Sequence, residues 1–216
     1  MARIFSTLAV AVVLRRIQHQ ADIALDAAVP LMARIDAGEH PDAVILPDAV
    51  IAQLVERKLV DAATVRPLCH SRIGLAVRAG APHPDISTLE KFRALLLATP
   101  SLAMSRVGAS GLFMQQWLTA QGIAEQVNAK ATIVAKGYTA ERAASGEVAF
   151  AIQQISELLM ADGIEVVGPL PEGANITTSF SSACFAAAPA AARAIFASIL
   201  DAMTPAALAA GGLDAR

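Results

Sequence analysis

In four places the chain sets polar residues or glycines where an apolar run gives way to a helical pattern, and these junctions are where it could do chemistry. Ser6-Thr7 follows Ile4-Phe5. Hydroxyls at such a point cap a helix, and they also donate to an oxyanion, because free amides and the helix dipole favour negative charge there. The second junction is Ser105-Arg106-Val107-Gly108-Ala109-Ser110-Gly111. Its glycines let backbone approach a ligand closely, Ser110 stands where a helix N-terminus presents amides, and Arg106 offers a planar fork to a carboxylate. The same residues also read as an ordinary Gly-Ser turn. The third, Gln153-Gln154-Ile155-Ser156-Glu157, places two adjacent amides at a strand end, where burial without partners is costly. Side chains alternate along a strand, so at most one of the two faces a ligand. The fourth, Asp26-Ala27-Ala28-Val29-Pro30, carries little polar chemistry, and Asp26 reads as a cap.

Several chemistries are excluded or unsupported. The GxxxxGK[ST] phosphate loop is absent, and Gly108-Ala109-Ser110-Gly111 lacks the GxSxG spacing of a hydrolase elbow. His19, His40, His70 and His83 are scattered and read as exposed or locally capping residues. Cys69 and Cys184 are far apart without CxxC spacing, so both read as buried thiols. No metal site and no cofactor are expected. A net charge of −2 and a pI near 6.1 give no footprint for nucleic acid, so an anion must be held locally. No run reaches the roughly 18 apolar residues needed to span a bilayer. Ile4 to Leu14 superficially resembles a secretory signal, but Ser6 and Thr7 interrupt it and Arg15-Arg16 follows it. The reading is a strand running into a helix, with no export signal.

The elements that must position these junctions alternate in type. Strands are predicted at Ala2–Phe5, Ala21–Leu25, Ala43–Leu46, Ile73–Val77, Leu102–Met104, Thr132–Val134, Val148–Ile152 and Ile176–Phe185. Helices are predicted at Ala9–Gln18, Pro30–Asp36, Leu112–Ala120, Ala140–Ala144 and Ala190–Met203, with a short one after Pro205. Asp48 reads as the N-cap of a further helix, and Ser87-Thr88-Leu89-Glu90 as a capping box. Such alternation implies α/β sheets with parallel strands, whose ligands bind beyond the strand carboxyl ends. With 55% hydrophobic and 17% charged residues, the chain has ample apolar material for a core.

Stretches along nearly the whole chain resemble the molybdate-binding branch of the class II periplasmic solute-binding proteins. Among them are Ile4 to Val10, Leu31 to Gly38, Pro41 to Asp48, Ser71 to Gly80, Gly146 to Glu157 and Ala192 to Leu200. The resemblance implies two lobes joined by two crossing strands: residues 1–75 with 176–216, and 76–175, with a ligand cleft between them. It implies a protein that closes on a small oxyanion or carboxylate, an ABC permease as partner and a periplasmic location, with a cytoplasmic one the alternative where no export signal is read. By position, ligand binding falls to Ser6, Thr7, Ser105, Arg106, Gly108, Ala109, Ser110 and Gly111, with Gln153 and Gln154 where the family commonly has a tyrosine. Ala27 and Ala28 stand where the family usually offers a hydroxyl, and the first helix is short. These departures favour a carboxylate at least as much as molybdate. The expected role is binding rather than catalysis. The alternatives are an isomerase of a small unsaturated di- or tricarboxylic acid, for which Glu157 or a histidine is the candidate acid–base group, and a degenerate ligand-free module.

Overall fold

Two runs, Ile4 to Thr7 and Ala43 to Leu46, are buried residue after residue, as central parallel strands covered on both faces must be. They belong to the first of two compact units in a computed structural model that describes residues 1–106 and 108–216. The first unit comprises Met1–Ser71 and Thr178–Arg216, the second Arg72–Thr177.

In chain order the first unit contains β1 (Ala2–Thr7), a 3-10 turn at Leu8–Val10, α1 (Ala11–Leu14), β2 (Ala21–Asp26), α2 (Ala28–Asp36), β3 (Ala43–Pro47) and α3 (Asp48–Glu56). β1 lies between β2 and β3 and is parallel to both. The strand β4 (Arg66–Arg78) then carries the chain into the second unit. There follow α4 (Leu89–Ala98), β5 (Leu102–Ser105), α5 (Ala109–Ala120), α6 (Ala124–Asn128), β6 (Ala131–Val134), α7 (Ala140–Ala144), β7 (Ala151–Gln154), α8 (Ile155–Leu158) and β8 (Ile164–Pro169). β5 is parallel to β6 and β7, while β4 runs antiparallel to β7 and β8. The chain returns through β9 (Thr177–Cys184), antiparallel to β3, and ends with α9 (Ala190–Ala202), α10 (Pro205–Ala210) and β10 (Asp214–Ala215). The expected α/β class holds, with parallel strands inside each unit and antiparallel partners supplied by the strands that carry the chain from one unit to the other.

Each unit has its own core. Phe5, Leu31, Val44, Leu46, Leu54 and Phe185 pack in the first. In the second, Ile73, Leu75, Phe92, Met104, Trp117 and Ile152 fill one face of the sheet. The other face is built from Ala76, Ala103, Ala140, Ala143 and Ala151, whose small side chains let α7 lie close to the strands.

Several local expectations need correction. The first helix ends at Leu14, not Gln18, because residues 9–14 are buried and the six after them offer no apolar face to hold a helix down. Asp48 does not cap α3 with its side chain. Its carboxylate accepts from Ser181 Oγ at 2.7 Å and pairs with Arg216 at 2.6 Å. The cap of α4 is Thr88, not Ser87, with Oγ1 accepting from Lys91 N at 3.3 Å. β7 spans Ala151–Gln154, not Val148–Ile152, and because it ends at Gln154 both glutamines lie inside the strand. α5 begins three residues earlier than its apolar periodicity indicates, because the first turn is made of Ala109, Ser110 and Gly111.

Candidate functional site

At the end of β1, Ser6 and Thr7 are almost fully buried. Thr7 is in register with Asp26 at the end of β2, and Ser6 with Ile45 of β3. Ser6 Oγ donates to the Thr7 carbonyl at 3.2 Å. Thr7 stands at the N-cap position but makes no side-chain cap, and its buried Oγ1 has no hydrogen-bond partner among the described residues. The helical stretch behind it is one 3-10 turn and four residues of α1. So short a stretch has little macrodipole, and what this junction offers is hydroxyls. Asp26 spends an oxygen locally, accepting from Ala27 N at 2.8 Å.

The junction between β5 and α5 is built differently. Gly108 takes φ +100° at the N-cap, a conformation costly for any side chain, and supplies no capping group. Leu112 N is the first helix amide bonded back, to Gly108 O at 3.1 Å, so the amides of Ala109, Ser110 and Gly111 precede the intrahelical ladder. Gly111 is required by space: a Cβ there would lie 2.3 Å from the carbonyl oxygen of Ser105. Close approach thus seats the first turn of α5 directly on the end of β5. The helix has twelve residues, over three full turns, and so carries a full dipole. Ser105 and Ser110 are buried, whereas Arg106 is exposed, with its backbone N–H donating to Val134 O at 3.0 Å. Val107 lies outside the described residues.

The two glutamines of β7 part company, as strand alternation requires. Gln153 shares the face of Ala151 and the alanine cluster. Its Oε1 accepts from Thr139 N at 2.8 Å and Thr139 Oγ1 at 3.0 Å, and its Nε2 faces Gly137 O at 3.4 Å. It therefore acts as a strut holding the turn before α7. Gln154 shares the face of Ile152, whose cluster includes Met114, Trp117 and Leu118 of α5. It is 4% exposed, yet its Oε1 has no partner among the described residues.

Glu157 follows in the first turn of α8. Burial away from water pushes its carboxyl up to about 7, opposed by a hydrogen bond from Gln153. The residue that sequence reasoning missed is Thr139. Nothing local marks it, because its partner lies fourteen positions on in another element.

Other chemistry is sparse. Among the described residues no cluster of His, Cys, Asp or Glu could hold a metal ion, and no helix is long and apolar enough to cross a membrane. Cys69 and Cys184 are free and buried, and burial pushes the Cys69 thiol up to about 12. A hollow of about 370 Å³ in the first unit, lined by Val13, Ile17, Ala202 and Ala207 among others, includes none of the junction residues.

Comparison with known proteins agrees with this architecture. The molybdate-binding protein of Azotobacter vinelandii superposes with a TM-score of 0.73 at 15% identity, over 99% of this chain and 98% of that one. The sulfate-binding protein SubI of Mycobacterium tuberculosis gives 0.62 at 15% identity, over 98% and 85%. The expected likeness to the molybdate-binding fold is met. In sequence, an aconitate isomerase from a Pseudomonas species is 33% identical over 165 residues, which is 75% of this chain and 63% of the relative's length. Residues 15–213 match the family described as bacterial extracellular solute-binding protein, and the chain belongs to that family.

Proposed function

We propose that this chain binds a small carboxylic acid at the entrance of α5, with Gln154 as a ligand group. The observation that carries the reading is the buried Oε1 of Gln154, which has no partner among the described residues and lies on the sheet face that packs against α5. An amide buried without a partner costs about 1–3 kcal/mol, a cost offset when a ligand supplies the missing hydrogen bond. The leading amides of α5 favour a carboxylate, and the Gln154 acceptor favours a ligand that also carries a donor, such as a protonated carboxyl or a hydroxyl. Fully deprotonated sulfate or molybdate lacks that donor. Delivery to an ABC permease from the periplasm completes this reading.

Thermal denaturation with di- and tricarboxylates, sulfate and molybdate tests it, since a ligand bound only by the native state raises the melting temperature. Carboxylates should raise it, and Q154L should abolish that rise. Stabilisation by sulfate or molybdate alone would refute the carboxylate assignment.

A second reading is favoured by one observation, the Glu157 carboxyl that titrates near neutrality three residues after Gln154. The acid would then be isomerised as well as bound. In a tricarboxylic acid such as aconitate, a proton leaves the methylene carbon and the electron pair of that bond delocalises across the double bond. A proton then returns at the far carbon. No atom is gained or lost, and the double bond moves or changes geometry. A group that both takes and returns a proton near pH 7 suits this chemistry.

A further inference from the structure

We infer that Asn175 is a positioning residue for the carboxylate site: its carboxamide clasps the backbone of Ile73, the cross-strand neighbour of Gln154, and so fixes the wall beside Gln154 Oε1. This rests on the carboxylate reading above and adds to it the residue on which the placement of Gln154 depends.

The clasp stands where a strand runs out. β8 accompanies β4 as far as Gly74, in register with Pro169, so the ladder stops one residue before Ile73. Asn175, from the segment that follows β8, takes over there. Its Oδ1 accepts from Ile73 N at 2.9 Å, and its Nδ2 donates to Ile73 O and to Leu170 O, both at 2.9 Å. A carboxamide carries the donor and the acceptor of a peptide group, so Asn175 stands in for the next peptide of β8. The Ile73 N–H can only donate, which fixes Oδ1 at that end and leaves the two Nδ2 hydrogens to the two carbonyls. Leu170 N also donates to Ile73 O, at 2.9 Å, closing the segment onto the strand.

On its other side β4 pairs with β7, and there Ile73 is in register with Gln154. The backbone groups of Ile73 are spent on Asn175 and Leu170, so Ile73 and Gln154 form a pair that exchanges no backbone hydrogen bonds. The side chains of such a pair share a face and approach closely, with Cβ atoms about 4.5–5.5 Å apart. Ile73 belongs to the cluster that includes Ile152, two residues before Gln154 on the same face. The Ile73 side chain is thus the wall beside the Gln154 carboxamide. Its N–H is committed to Asn175, and Gln154 Oε1 keeps no partner among the described residues. The next pair is as tight. A Cβ on Gly74 would stand 2.5 Å from Ile155 Cγ1 and 2.9 Å from Gly168 O, so Ile155, directly after Gln154, is seated against the backbone of β4.

Two substitutions separate this role from simple bracing. N175A leaves Ile73 N–H without its acceptor, so β4 frays at Ile73 and the wall beside Gln154 loosens. N175D keeps that acceptor but turns an oxygen to the carbonyls of Ile73 and Leu170. The introduced carboxylate is repelled by both, so the folded chain holds its proton more tightly than the unfolded chain does. Once protonated, it returns one hydrogen to those carbonyls. The defect in N175D is therefore full at high pH and shrinks as pH falls through the raised folded value. The charged side chains of the two segments, Arg72 and Glu172, are common to all the proteins compared and cancel against wild type.

Isothermal titration with malate and with citrate tests the role, at about pH 7.5 and at about pH 5, either side of the range in which a repelled carboxyl titrates. Each variant is compared with wild type at the same pH. Wild type should bind. N175A should bind at least about 10-fold more weakly at both pH values, and its Ile73 amide should lose protection from hydrogen exchange. N175D should match N175A at the higher pH and recover most of the wild-type affinity at the lower. If N175A does not fold, that recovery carries the test. Wild-type affinity in both variants, with only the melting temperature lowered, would overturn the positioning role. So would a defect in N175D that ignores pH, or an Ile73 amide as protected in N175A as in wild type. Binding lost in Q154L but intact in N175A and N175D would leave the carboxylate reading standing without Asn175. No binding by wild type would overturn that reading, and this role with it.

Discussion

The strand-to-helix junctions of the two units solve one problem in different ways. At the end of β1 the chain enters a 3-10 turn and four residues of α1, so little dipole stands behind Ser6 and Thr7 and the chemistry is carried by side-chain hydroxyls. At the end of β5 it enters twelve residues of α5 through Gly108 and Gly111, and the chemistry is carried by backbone amides. Hydroxyls both donate and accept, and can turn to suit the ligand. Amides at a helix entrance only donate, in one direction, backed by the helix. The second junction is thus the one whose local field favours negative charge.

The largest test of this contrast is G111A. Its Cβ would stand 2.3 Å from Ser105 O, backbone against backbone, so α5 must move off β5. We expect a loss of about 3 kcal/mol in urea denaturation, together with loss of the ligand-induced thermal shift. A variant as stable as wild type would show that the α5 entrance tolerates movement.

Next comes E157Q as a stability probe. The folded carboxyl sits at about 7, above its ordinary 4.5, so the folded state holds the proton more tightly than the unfolded chain. Its contribution is fully present below pH 4.5 and is lost as pH rises through 7. Because the residue is half-buried, water screens part of this effect. Wild type should lose about 2 kcal/mol of stability between roughly pH 5 and pH 8 through this group. E157Q should lack that decline, and parallel stability curves for the two proteins would refute the raised titration.

The smallest effects are expected at the unpartnered oxygens. T7V and Q154L each remove a buried polar atom that has no partner among the described residues. Each should stabilise the ligand-free protein by about 1 kcal/mol, and Q154L should abolish the thermal response to carboxylates. The contrast between the junctions is sharpened if Q154L costs more of that response than T7V. Destabilisation by either variant in the absence of ligand would mean that the oxygen is already satisfied.

Much of the architecture was legible because it is local. Ala21 to Leu25, Ala43 to Leu46 and Ala140 to Ala144 read from short apolar runs and small-residue patterns, and the structure places elements there. β8 went unread, since its residues are only partly buried and lack clean alternation. The first half of β4 was missed for a similar reason. Arg66, Pro67 and His70 do not look like a strand, and β10, far along the chain, pairs with that half. The caps shifted by one residue at Thr88 and were replaced at Asp48, because a carboxylate takes whichever partner tertiary packing brings, here Ser181 and Arg216.

At β7, the sequence alone determined that two amides sit at a strand end and that alternation sends them to opposite faces. It could not determine which of them is spent within the fold. That depended on the alanine face bringing α7 and Thr139 against Gln153, while the opposite face, packed with the large apolar side chains of α5, brings no donor from the described residues to Gln154 Oε1. Periodicity is a property of neighbours in the chain. Hydrogen-bond satisfaction in a buried site depends on residues far apart in sequence, and only the folded chain decides it.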